Sequence, residues 1–226
     1  QATVSVDAGG GLLHRRGWRQ AVGRAPLRET LAAACVRLAQ VAPEQALWDP
    51  FCGSGTMPIE AALARAGVPC QSERRFAFQG WPTFQADGFE AWRASVGQER
   101  TALAPIFFGS ERSEETLDGA RMNAARAGVE AACHWMSGDF MTHIDAIPQG
   151  AAVLSNLPYG KRLSGGAGLE ALFARFGECL TQRLDLDPVV VLVGKRPLER
   201  ATGLRWDTIG SFSNRGTATR LLRLKR

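Results

Sequence analysis

Tyrosine is almost missing from this chain: 226 residues contain only Tyr159. Histidine is scarce as well, limited to His14, His134 and His143. The five cysteines (Cys35, Cys52, Cys70, Cys133, Cys179) are widely spaced and include no C-x-x-C pair. An odd number of scattered thiols and so few imidazoles argue against a disulfide framework or a structural zinc, so no metal is expected. A reducing, cytoplasmic setting is the expected location. No apolar run approaches the roughly 18 residues that span a bilayer, and no membrane partner is expected. A charged-then-apolar leader is also missing, and the chain opens at Gln1 without methionine, as a processed or shortened chain would.

What is present is the composition of a globular domain, with 45% hydrophobic and 22% charged residues. The length suits one well-packed unit with a small appendage. Lys and Arg number 27 against 22 Asp and Glu, a net charge of +5. The excess is uneven. Residues 14–28 hold five arginines and no acid, and residues 195–226 hold nine Lys or Arg against Glu199 and Asp207. Such segments are either solvated basic faces or contacts for a polyanion.

Periodicity and punctuation give an alternating order of elements. Residues 2–20 combine the alternation of "TVSVD" with three glycines and predict a hairpin. Residues 26–40 start with Pro26 and carry apolar residues at helical spacing. "ALWD" (46–49) predicts a short buried strand, and 56–67 a helix with Pro58 in its first turn and Gly67 as its stop. The aromatic-rich stretch 71–104 predicts an irregular crossover with one helix near 87–100. Strands follow at 105–111, 133–139, 151–156, 188–194, 204–213 and 217–225, with helices at 113–128 and 169–184. Strands alternating with helices imply a mostly parallel, doubly wound α/β sheet, closed by an antiparallel C-terminal hairpin. The expected division is an N-terminal β-hairpin extension or linker over 1–22 and one domain over 23–226.

The stretch "LWDPFCGSGT" is strand, acid, Gly-x-Gly, helix. In a doubly wound sheet this turn lies at the carboxyl edge, where ligands bind. Pro58 stands where a dinucleotide fingerprint needs its third glycine, and no lysine follows as in a P-loop. A phosphate would want bare N–H groups, whereas Asp49 opens this turn. That acid suits a ligand with a cationic end, such as the amino-acid end of S-adenosylmethionine, reached directly or through water. Glu111 and Asp139 end the next two strands. Glu111 could accept both ribose hydroxyls of that ligand; Asp139 could accept an adenine amino proton, with Phe140 against the ring. Singly, each is also readable as an ordinary surface acid.

The lone tyrosine sits in "SNLPYGKRL" (155–163), directly after an apolar strand. Methylating an exocyclic amine on a base requires acceptors that hold the amine so that its lone pair points at the methyl group. Asn156 Oδ1 is one acceptor. The carbonyl of Leu157 is another, held extended because Pro158 follows it. Tyr159 offers a flat face to a base swung out of its stack. Lys161 and Arg162 could then hold flanking phosphates. Cys52 lacks a partner base and reads as a small turn residue.

"DPFCGSGT", "GSE" and "NLPYG", in this order, resemble the amino-group methyltransferases of class I that use S-adenosylmethionine. The chain is most similar to the THUMP-associated RNA methylase family of 23S rRNA and tRNA guanine-N2 methyltransferases, often labelled adenine-specific DNA methylases. "LLHRRGWR" (12–19), "RAPLRETLAAA" (24–34), "RRFAFQGWPTF" (74–84) and "SNRGTATRLLRL" (213–224) extend the resemblance over nearly the whole chain.

The resemblance implies a Rossmann-like seven-stranded sheet and S-adenosylmethionine as cofactor. It implies that Asp49, Pro50, Phe51, Cys52, Gly53, Ser54, Gly55 and Thr56 bind the methionine end. Glu111, with Arg112 beside it, holds the ribose, and Asp139 with Phe140 the adenine. Asn156, Leu157, Pro158 and Tyr159 take the target base, with Asn156 also facing the cofactor. Pro26 and Thr30 belong to a segment that closes over the cofactor. The implied partner is RNA, either rRNA or tRNA, met by Arg15, Arg16, Arg19, Lys161 and Arg162. Leu157 replaces the usual first proline, and Asn-Leu-Pro-Tyr also occurs in rRNA adenine-N6 dimethyltransferases, so guanine N2 and adenine N6 both stay open. Family members usually carry a THUMP module before "LHRRG"; this sequence begins a dozen residues before that motif. A DNA adenine-N6 enzyme and a non-catalytic RNA-binding domain of the same fold are the remaining alternatives.

Overall fold

The most apolar stretch of the chain, Val189–Val193, forms a strand in which all five side chains are buried. A strand covered on both faces loses the usual polar alternation. In the computed structural model, which describes residues 2–20, 27–69, 74–96, 103–104, 106–158, 166–194, 198–214 and 216–226, this strand is β5 of seven. The others are β1 (Leu47–Asp49), β2 (Phe107–Glu111), β3 (Cys133–Ser137), β4 (Ala152–Asn156), β6 (Trp206–Asn214) and β7 (Thr217–Leu224). Their order is β3-β2-β1-β4-β5-β7-β6. β1 to β5 run parallel, and β7 enters antiparallel between β5 and β6. This is the expected seven-stranded, mostly parallel, Rossmann-like sheet with a C-terminal hairpin.

Helices α1 (Glu29–Ala39), α2 (Thr56–Arg65), α3 (Ala86–Ser95), α4 (Glu114–Ala127), α5 (Gly166–Gln182) and α6 (Leu198–Thr202) complete the fold. Successive side chains of β5 point to opposite faces. Val190 and Leu192 join a core with Leu31, Met57, Ile59 and Phe107, under α1 and α2. Val189, Val191 and Val193 join a second core with Phe173, Phe176 and Leu180 of α5. The caps read from the sequence are formed at α4. Ser113 Oγ accepts from Thr116 N, Glu114 and Glu115 occupy the first turn, and Gly128 ends the helix at φ 70°.

Two expectations are corrected. Residues 2–20 form no strand. Their valines face solvent, with Val4 89% exposed. Asp7 Oδ1 accepts from the amides of Gly9 (2.8 Å) and Gly10 (3.1 Å), giving the glycine run a local turn in place of a ladder. The helix expected near 87–100 is α3, whose helical residues end at Ser95. Around it Phe76, Phe78, Phe84, Phe89 and Trp92 form an aromatic cluster of their own.

Candidate active site

The chain reverses its strand order between β1 and β4, and in a doubly wound sheet the carboxyl ends at such a point flank the ligand crevice. Asp49 ends β1 and is 1% exposed. One carboxylate oxygen accepts from Ser155 Oγ at 2.5 Å and from Phe51 N at 3.1 Å. Burial pushes its pKa up to about 7, against the lowering by those two hydrogen bonds, and the negative charge of Glu111 adds to the rise. A buried acid of this kind wants a cation.

The following turn holds Pro50, Cys52, Ser54 and Thr56 buried and Phe51 half-buried. Its two glycines do different work. Gly53 (φ 53°) and Gly55 (φ 81°) are both left-handed. A Cβ on Gly53 would meet nothing within 4 Å, so its open side leaves room for a ligand. A Cβ on Gly55 would stand 2.7 Å from Trp135 and 3.1 Å from Ala120. The crest is thus open above and clamped beneath. Cys52 packs against Gly109, and burial, joined by the charges of Asp49 and Glu111, raises its thiol well above the usual range. An inert small turn residue fits that setting.

Glu111 ends β2 and accepts from Ser113 N at 3.0 Å. Asp139 follows β3 and is more heavily engaged. Its oxygens accept from Met141 N (3.0 Å), from two Arg175 nitrogens of α5 (3.0 Å each) and from Arg112. Burial alone would raise its pKa, but Arg175, Arg112 and the Met141 amide outweigh it and hold the carboxyl down at about 2. Four donors fill the acceptor positions of a carboxylate, and Arg112, 63% exposed, is the most solvated of them. Phe140 is 3% exposed; its ring lies 4.9 Å from Phe51 and 6.2 Å from Phe176, a wall of the second core behind the crevice.

At the end of β4, Asn156 Oδ1 is buried with no hydrogen-bond partner among the described residues. Leu157 is fully buried and its N–H donates to Leu192 O at 3.0 Å. Pro158 is half-buried, and Thr30 is exposed in the first turn of α1. Tyr159, Lys161, Arg162 and Pro26 lie outside the described residues. Asp49, Glu111, Asp139 and Asn156 therefore share one sheet edge, at the ends of four neighbouring strands.

The basic segments are used differently than expected. Arg15 is exposed, but Arg16 and Arg19 turn inward. Arg16 pairs with Glu60 at 2.8 Å, with side chains 8% and 1% exposed. Arg19 pairs with Glu29 at 3.7 Å and donates to Leu27 O. Both are corrected from RNA-contact candidates to buried ties between the N-terminal segment and helices α1 and α2. Near the C-terminus, Arg220 pairs with Glu199 at 3.0 Å, and Arg223 donates to Leu38 O and Ala39 O at the end of α1. Sequence reasoning missed Ser155, Asn123 and Arg175, all polar residues whose partners are remote in the chain. Gly109 carried a signal, a glycine inside a strand, which marks close approach: a Cβ there would lie 2.7 Å from Trp135.

A family model described as RMKL-like, methyltransferase domain, matches residues 16–219. A candidate RNA methyltransferase of Synechocystis is 34% identical over 223 residues, covering 97% of this chain and 58% of that protein. The ribosomal RNA large subunit methyltransferase K/L of Vibrio parahaemolyticus is 38% identical over 184 residues, covering 78% of this chain and 26% of that protein. The chain thus spans little more than half of one curated relative and about a quarter of the other. Among solved structures, a candidate methyltransferase crystallised with SAH superposes with a TM-score of 0.86 at 25% identity, covering 96% of this chain and 56% of that one.

Proposed function

The chain belongs to the RMKL-like methyltransferase domain family, and from that premise we propose that it transfers a methyl group from S-adenosylmethionine to an exocyclic amine of a base in RNA, guanine N2 of rRNA or tRNA. Asn156 carries the proposal. A buried acceptor without a partner costs stability; at the carboxyl end of a strand beside Asp49 it suits an incoming N–H donor. The fit to the cofactor rests on three features: the open side of Gly53, the buried acid Asp49 that calls for an ammonium, and the acids Glu111 and Asp139 on the next two strands.

S-adenosylmethionine, when bound, supplies an electrophilic sulfonium methyl group. The chain's own residues bind and aim. Asp49 would neutralise the ammonium, Glu111 would take the ribose hydroxyls, and Asp139 would take the adenine amine. Asn156 Oδ1 and the Leu157 carbonyl would accept hydrogen bonds from the two N–H groups of the base amine, so that the lone pair projects out of the ring plane toward the methyl group. The S–CH3 bond breaks as N–CH3 forms, and the amine then loses one proton to solvent. Tyr159 stacks the base. No general base is needed before attack, and most of the rate comes from orientation.

Transfer of labelled methyl to rRNA, tRNA and DNA, followed by nucleoside analysis, tests this. N2-methylguanosine in RNA is the expected product. N6-methyladenine would move the target to adenine, and absence of both transfer and cofactor binding would leave a non-catalytic domain.

A further inference from the structure

Asn123, in the middle of α4, is 0% exposed. Its side-chain amide joins two segments far apart in sequence. Nδ2 donates to Ser54 O at 3.1 Å, on the glycine-rich turn, and Oδ1 accepts from Gln20 N at 3.2 Å, on the N-terminal segment. A backbone carbonyl on one side and a backbone N–H on the other allow only one orientation of the amide. One turn earlier on the same helix, Ala120 lies against Gly55. The crest that leaves Gly53 open is therefore gripped from α4 at two consecutive residues, Ser54 and Gly55.

The N-terminal segment is itself firmly seated. Trp18 is 6% exposed, and the Arg16–Glu60 and Arg19–Glu29 pairs hold the residues around it to α2 and α1. Gln20 N is thus delivered to Asn123 by a segment anchored through Trp18, Arg16 and Arg19.

We propose that Asn123 is a positioning residue for cofactor binding. It holds the Ser54 carbonyl, and with it the Gly53–Gly55 crest, in the binding shape, and the Gln20 amide keeps Asn123 in register. The proposal rests on the methyl-transfer reading above. Gln20, held by the ties at Arg16 and Arg19, then belongs functionally to the cofactor site.

Calorimetry with S-adenosylhomocysteine on the full chain tests it, alongside thermal unfolding and initial rates of methyl transfer. Asn123→Asp is isosteric but sets a carboxylate oxygen against the Ser54 carbonyl. Gln20→Pro removes the N–H donor and leaves Asn123 in place. Each is expected to raise Kd, and KM for the cofactor, about tenfold, the scale of one mispaired buried polar group. Turnover at saturating cofactor should stay within about twofold of the parent chain. A lowered unfolding temperature with unchanged Kd and KM in both variants would overturn the proposal alone. No binding by the parent chain would overturn the methyl-transfer reading, and this proposal with it.

Discussion

Ser155 Oγ on β4 donates to Asp49 Oδ1 at the end of β1, at 2.5 Å, with both residues buried. The residue before the candidate catalytic Asn156 is thereby tied to the acid that opens the candidate cofactor turn. Breaking this bond should act on both candidate ligand sites at once. Burial already lifts the Asp49 pKa to about 7, and the Ser155 hydroxyl opposes that lift more strongly than any other group. In Ser155→Ala the carboxyl should be largely protonated at pH 7, and cofactor affinity should fall about tenfold. Raising the pH should restore part of the loss. Calorimetric Kd values at pH 7 and pH 8.5 check this; equal losses at both would separate Ser155 from the protonation of Asp49.

Asn156 should show a conflict between stability and function. Its Oδ1 is buried without a partner among the described residues. Asn156→Ala removes that acceptor, so stability should hold or rise by about 1 kcal/mol. Cofactor binding should be nearly intact, while methyl transfer drops at least about 100-fold. Urea unfolding, calorimetry and labelled-methyl transfer on one preparation distinguish these effects, and undiminished transfer would remove Asn156 from its role.

The two glycines of the turn should separate in the same way. Gly55→Ala meets Trp135 at 2.7 Å and should cost about 2–3 kcal/mol, from overpacking plus left-handed strain. Gly53→Ala meets nothing within 4 Å and should cost only the strain, about 1 kcal/mol. Its methyl group nevertheless projects into the open side of the turn. Kd should therefore rise more in Gly53→Ala, and the unfolding midpoint should fall more in Gly55→Ala.

The Arg16–Glu60 pair should leave a mark on the pH dependence of stability. Glu60 is 1% exposed, and burial raises its pKa to about 7 although Arg16 opposes the rise. A raised carboxyl contributes stability that is fully present below its unfolded value, 4.5, and is lost as pH climbs through about 7. Arg16→Met removes the ion-pair partner and should destabilise by about 3 kcal/mol at pH 8, where Glu60 must be charged and buried with only Trp18 and the charge of Arg19 to offset its burial. At pH 5, where Glu60 takes up a proton, the loss should be clearly smaller. Chemical denaturation at the two pH values measures the difference; a larger loss at pH 5 would contradict the sign.

Short-range chemistry made much of this molecule legible. Ser113 and Gly128 mark the ends of α4, and the unbroken run Val189–Val193 marks a central strand. The G-x-G turn and the strand-end acids mark the candidate site, because in a doubly wound sheet strand ends and ligand sites coincide. The hairpin expected in residues 2–20 failed because Asp7, at short range, offers Gly9 and Gly10 a competing turn.

Alternation of apolar runs with helical periodicity, and the residue types at strand ends, determine the α/β class, the seven strands and the candidate set of Asp49, Glu111, Asp139 and Asn156. These are local properties, written within a few residues of each position. The tertiary structure alone decides which charges are spent inside. It takes Arg16 and Arg19 out of the basic surface, puts Arg175 on Asp139, ties Ser155 to Asp49 and sets Asn123 between Gln20 and Ser54. Arg175, Ser155 and Asn123 meet partners 36, 106, 103 and 69 positions away. The physical reason is that a buried polar group must find its partner wherever the fold delivers one, and no periodicity in the chain records where that is.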